Sequence, residues 1–152
     1  MATMHTRPRS GTTLLELLCS LALLGVLFGM AALPVSYAGD VLGARAARDA
    51  ILNAAAASRA LAIQHGGADL SLTAADGTMV INTRDGVVRD TLAQLVSAFR
   101  VEIDFGDARA ETVTLRFDAL GIGRLANRTV RIRRGSVTAG VTFSAYGRAR
   151  AW

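Results

Sequence analysis

From Leu14 to Leu33 the chain runs for twenty residues drawn almost wholly from Leu, Ala, Gly, Val, Phe and Met. A helix of that length and apolarity matches the hydrocarbon core of a bilayer, and no other stretch restricts the fold as much. Arg7 and Arg9 precede it as a basic flank, the side that stays in the cytoplasm. Glu16 breaks the pattern just inside the start of the run. A carboxylate costs about 2.5–3.5 kcal/mol at a helix centre on insertion scales, and less toward an end.

An ordinary secretory signal peptide would use the same basic start, with Ser36-Tyr37-Ala38 as a small-residue cleavage site that releases a soluble periplasmic binding protein. Its apolar region is about 7–15 residues, shorter than this one, and does not carry a carboxylate. A plain membrane anchor accounts for length and orientation but leaves Glu16 without a purpose.

Beyond the run, residues 37–64 read YAGDVLGARAARDAILNAAAASRALAIQ and are rich in helix formers. At about 100° per residue, Arg45, Arg48, Asp49 and Arg59 fall on one side. Ala47, Ala50, Ala54, Ala57 and Leu61 fall opposite, where small side chains admit a close neighbour. Leu52 and Ile63 share the charged side, which suits a helix with partners on more than one face. Gly66-Gly67 is the expected stop.

After Gly67 the period changes to two. RVEIDF, TVTLRF, TVRIR and VTFS alternate apolar with polar residues, burying Val101/Ile103/Phe105, Val113/Leu115/Phe117, Val130/Ile132 and Val141/Phe143. DLSLT and TMVINT flank Ala74-Ala75-Asp76-Gly77 as a hairpin, and Asp85-Gly86 marks another turn. TLAQLVSAF fits either a loop or a short helix. The expectation is an α+β chain, a long N-terminal helix packed against one antiparallel sheet of about six strands.

Chemistry is limited by what is missing. Cys19 is the only cysteine, so no intrachain disulfide and no cysteine zinc site can form. His5 and His65 are the only histidines and lie 60 residues apart. No P-loop, HExxH, nucleophile elbow or strand-borne GxGxxG occurs. Glu102, Asp104, Asp107 and Glu111 match no calcium-loop template. The chain is expected to be no enzyme, with no cofactor and no metal.

Charge is distributed unevenly. All 17 basic residues are arginine, and the net +5 divides into +2 over residues 1–11, −4 over 12–118 and +7 over 119–152. The last segment holds seven arginines and no acid, which points to an anionic partner or a solvated basic face. Arg131 and Arg133 share a strand face opposite Val130 and Ile132, with Arg134 beside them and Arg124 and Arg128 before. Two arginines at i, i+2 on an extended segment, as at Arg148 and Arg150, point the same way and offer planar forks to phosphate. Gly147 permits a positive φ or a close approach. Tyr146 and Trp152 bracket these residues and can stack on bases or pack.

Gly11-Thr12-Thr13-Leu14-Leu15-Glu16 resembles the processing site of type IV pilins and type II secretion pseudopilins. There a short basic leader ends in Gly, a prepilin peptidase cleaves after it, and the fifth mature residue is Glu; counted from Thr12, that is Glu16. The resemblance implies a leader over residues 1–11, a transmembrane half-helix over 12–34, a periplasmic half-helix over 35–66 and a sheet domain with a basic end over 67–152. Thr12 departs from the large apolar residue usual after the cut, which bears on N-terminal methylation. Glu16 would pair with the N-terminal amine of a neighbouring subunit, so that two charges costly alone in lipid become tolerable together.

Gly147-Arg148-Ala149-Arg150 extends the resemblance to the GspH/FimT group of minor pilins, whose domains end in a strand and a Gly-Arg-x-Arg element. In FimT-like members that element is implicated in DNA binding during natural transformation. The implied partners are other pilins or pseudopilins, the prepilin peptidase, the inner membrane and the DNA phosphate backbone, with little sequence preference. GspH pseudopilins of type II secretion share the outline and make only protein contacts. The implied location is the inner membrane, single-pass with a periplasmic C-terminal domain, and then a pilus or pseudopilus.

Overall fold

A computed structural model describes residues 13–86, 89–107, 110–124 and 127–152. The chain divides into two compact units, residues 1–36 and 37–152. The cleavage site expected at Gly11 and Thr12 lies outside the described residues.

One helix, α1, spans Leu14–His65. In the first unit it exposes apolar side chains all round, from Leu14 at 80% to Met30 at 70%. A helix apolar on every side is built for lipid or for neighbouring helices, and this one is long and apolar enough to cross a membrane. Its start is capped: the Thr13 hydroxyl accepts from the Glu16 amide at 3.2 Å. Glu16 thus occupies the third helical position of a capping-box sequence, where negative charge also meets the positive end of the helix dipole.

In the second unit α1 buries Ala44, Ala47, Ile51, Ala54, Ala55, Ser58 and Ala62. This stripe is rotated from the expected one: Ala57 is exposed, and Ala50 and Leu61 are half-buried. Alanine gains little from burial, so alanine spacing marks a face weakly; Ile51, the one large side chain in the stripe, turns it toward the core. Buried Ser58 is satisfied by bonding back to the Ala54 carbonyl at 2.8 Å. The helix ends where Gly66 takes φ +73°, the left-handed conformation that favours glycine.

Among the described residues eight strands follow, in two antiparallel sheets instead of the single sheet that the alternation predicts. They are β1 (Gly67–Thr73), β2 (Thr78–Thr83), β3 (Arg89–Gln94), β4 (Glu102–Asp104), β5 (Thr112–Asp118), β6 (Arg128–Arg134), β7 (Val137–Phe143) and β8 (Ala149–Ala151), with α2 (Leu95–Phe99) between β3 and β4. The first sheet has the order β3-β2-β1-β5 and the second β4-β6-β7-β8. TLAQLVSAF therefore splits, its first part closing β3 and its second forming α2. Short β8 and non-alternating β3 carry no period-two signal, which is why about six strands were legible.

The β1–β2 turn is held by Asp76, whose carboxylate accepts from the Thr78 amide at 2.9 Å and hydroxyl at 2.6 Å. The two sheets, α1 and α2 feed one core that includes Ile51, Leu70, Met79, Ile81, Leu95, Val130, Ile132, Val141 and Phe143. Each such large side chain contributes about 1.5–3 kcal/mol by leaving water. The molecule is an α+β protein, a long N-terminal helix with antiparallel sheets packed on it, consistent with a pilin-like fold.

Candidate nucleic-acid interface

Alternation along β6 buries Val130 and Ile132 and leaves Arg131 and Arg133 exposed on the outer face of the second sheet. Across the β4–β6 ladder, Glu102 stands opposite Arg133 and Asp104 opposite Arg131. Arg131 Nη1 lies 3.5 Å from Asp104 Oδ2. Both groups are about half exposed, so the pair is worth at most about 1 kcal/mol, yet it offsets part of the positive charge.

Arg134 is not brought to this face. One residue past Arg133, it points to the opposite side, and its Nε lies 3.2 Å from Asp40 Oδ1 on α1. The guanidinium passes over Gly43, where any side chain would collide with it. Arg134 joins the sheet to the helix.

The β7–β8 connection positions Arg148 and Arg150. The Gly147 amide donates to the Ser144 carbonyl at 2.9 Å, the Arg148 amide to Ser144 Oγ at 3.1 Å, and the Ser144 amide to the Arg148 carbonyl at 2.9 Å. Gly147 takes φ +78°, and a Cβ there would sit 2.9 Å from Phe117 Cε1 and 3.0 Å from the Gly123 backbone. Both conditions exclude a side chain. The turn is also tied to the β5–β6 connection, since the Gly123 amide donates to the Tyr146 carbonyl at 3.0 Å.

From this turn β8 pairs along β7 as an edge strand, Arg150 opposite Thr142 and Ala151 opposite Val141. Arg148 and Arg150 are exposed, and neither makes an ion pair among the described residues. They line an open groove of about 900 Å³ with Asn127, Thr142 and Trp152. The Asn127 Oδ1 accepts from the Ala145 amide at 2.8 Å, and the side chain is exposed. Trp152 joins the groove, while Tyr146, 74% exposed, lines a separate concavity with Ile122 and Arg124.

Sequence reasoning missed Thr142, Asn127 and Gly140. The Trp152 benzo ring fills the space that a side chain at Gly140 would take. Its Nε1 donates to Thr142 Oγ1 at 3.3 Å, and Thr142 Oγ1 in turn meets Thr129 Oγ1 at 3.3 Å. An isolated glycine inside an alternating strand signals close approach, and Gly140 was that signal.

A second polar concavity, of about 370 Å³, lies elsewhere, lined by Arg84, Arg116 and Arg124 with Asp69 and Asp118. Its carboxylates hold two of its arginines, Asp69 to Arg116 at 3.7 Å and Asp118 to Arg124 at 3.2 Å. Asp118 also accepts from the amides of Leu120 and Ile122 at 3.0 and 2.9 Å. The Ile122 backbone bond is the largest influence on its carboxyl and, helped by Arg124 and the Leu120 amide, holds it below the ordinary value of 3.8 although burial pushes the other way. Among the described residues no group of three or more His, Cys, Asp or Glu is arranged to hold a metal ion.

The arrangement around β8 can therefore grip an anionic backbone with guanidinium forks. No protein-family model, curated protein or solved structure matches the chain.

Proposed function

We propose that this chain is a minor pilin of the GspH/FimT type that binds DNA through its C-terminal arginines. On this reading a prepilin peptidase cleaves after Gly11, residues 12–34 anchor the chain in the inner membrane, and Glu16 pairs with a neighbour's amine during assembly with other pilins. The observation that carries the DNA-binding part is the pair Arg148 and Arg150, exposed and without ion pairs among the described residues, in one groove. Arg131 and Arg133 extend the basic face, with Asp104 moderating the first. Arg134, expected beside them, is turned to Asp40, and on this reading it contributes less to the DNA contact than Arg148 and Arg150.

The test is fluorescence anisotropy of labelled duplex DNA with the full chain in detergent, over a range of salt concentrations. Wild type should bind, with log affinity falling by about 0.9 per log unit of salt for each phosphate neutralised. The Arg148→Ala/Arg150→Ala double variant, checked for folding by circular dichroism, should lose most of that binding. A folded wild type that ignores duplex and single-stranded DNA at low salt removes the DNA role.

A second reading, a type II secretion pseudopilin with protein contacts only, is favoured by a different surface. Leu52, Ala56, Ala60 and Ile63 on α1, with Arg59 among them, line a mostly apolar concavity of about 330 Å³ beside Gly147 and Ala149, and Ile63 is 58% exposed. Substituting Ile63→Asp should abolish assembly with partner pilins and leave DNA affinity unchanged if each surface has its own task.

A further inference from the structure

The groove beside β8 holds more than charge. Trp152 is half exposed, and its orientation is set at two points: the benzo ring packs in the space above Gly140, and Nε1 bonds to Thr142. Strand pairing places Arg150 opposite that same Thr142, and Arg131 opposite Gly140. An indole held in place thus shares one groove with Arg148, Arg150 and Asn127, while Arg131, on β6, turns to Asp104.

A surface that bound only the duplex backbone would need arginines and little else. In a duplex the base faces are already stacked on one another, so an indole fixed at the surface finds no π-face to cover. A single strand presents those faces, and stacking on an aromatic side chain while arginines track the phosphates is how unpaired strands are held without regard to sequence. The size agrees: the groove is about 900 Å³, within the ~300–1,000 Å³ range of sites that take small organic molecules, room enough for a splayed nucleotide. Arg148 and Arg150 are two residues apart, roughly 6.6 Å along a strand, a spacing suited to successive phosphates of an extended chain.

We infer that the β8 groove binds single-stranded DNA in preference to duplex, with one base stacked on Trp152 and the adjoining phosphates on Arg148 and Arg150. The inference rests on the DNA-binding reading above and specifies which form of DNA the site takes. Asn127 donates to the edge of the stacked base, and Thr142 holds the indole in position.

Trp152 is the only tryptophan in the chain, so its intrinsic fluorescence reports on this groove alone. The full chain in detergent would be titrated with a thymidine homopolymer, which forms no duplex with itself, and separately with a blunt duplex of equal length. Saturable quenching by the homopolymer is expected, with affinity about tenfold above that for the duplex. Trp152→Ala should lose about tenfold in single-strand affinity and keep duplex affinity within about twofold, while Trp152→Phe should retain most of the preference.

Equal affinity for the two forms, with emission unmoved and binding still abolished in Arg148→Ala/Arg150→Ala, would overturn the stacking inference and leave the phosphate reading standing. Absence of binding to either form by a folded wild type would overturn both. A fall in duplex and single-strand affinity of equal measure in a folded Trp152→Ala protein would also count against stacking, since it would make the indole a support for the arginines.

Discussion

Gly147 and Gly140 do different work at the two ends of the same hairpin. Gly147 combines a positive φ with a close approach to Phe117 and Gly123, so Gly147→Ala should cost about 1–3 kcal/mol in urea denaturation. At Gly140 the obstacle is the ring of a half-exposed side chain, which can swing away. Gly140→Ala should therefore shift Trp152 emission while changing stability by less than about 1 kcal/mol. Asp118, like Asp76, contributes to the pH dependence. Its folded pKa is depressed, so its contribution is present above the unfolded value near 4 and is lost as pH falls through the folded value. Melting temperature should drop more steeply below about pH 4 in wild type than in Asp118→Asn, as followed by circular dichroism. The role of Gly147 was legible because a glycine before Arg-x-Arg is conspicuous. That of Gly140 was hidden because the side chain it accommodates, Trp152, comes twelve residues later and depends on the β7–β8 pairing.

At the scale of elements, period predicts faces well where side chains differ strongly in polarity. Arg131 and Arg133 face outward while Val130 and Ile132 are buried, as the alternation in TVRIR requires. On α1 the contrast is weak, because alanines occur on every side, and the buried stripe centres on Ile51. Ile51→Ala should cost about 2–5 kcal/mol by chemical denaturation; Ala57→Ser should be nearly neutral. The arginines divide in the same way. Arg134→Ala leaves Asp40 half-buried without its partner and should lower stability by about 1–2 kcal/mol with DNA affinity intact. Arg148→Ala/Arg150→Ala should have the opposite effects, and the salt slope of duplex binding should flatten by about 0.9 for each phosphate that is no longer neutralised. Composition counted Arg134 with its neighbours; side-chain direction separates it from them.

For the whole molecule the decisive observations are the mature N-terminus and the fate of Glu16. A chain cleaved after Gly11 begins at Thr12 and one cleaved after Ala38 begins at Gly39, a difference of 27 residues that intact mass resolves at once. The pilin reading expects the longer chain, retained in the membrane fraction after alkaline extraction. Glu16→Gln should leave insertion unchanged and abolish filament assembly if the carboxylate pairs with a neighbour. If Glu16 acts only through its place in the helix cap, Glu16→Gln should assemble normally, because glutamine also serves at that position. The apolar helix, the strand alternation and the excess of arginine after residue 118 are all legible along the chain. These are local consequences of backbone geometry and composition, readable wherever a period of 3.6 or 2 persists. The tertiary structure was needed to show that the strands form two sheets, that Asp40 takes Arg134 and Asp104 takes Arg131, and that Trp152 packs over Gly140. Those outcomes depend on cross-strand register and on a hairpin turning at Gly147, which join residues far apart in the chain and leave no periodic trace in it.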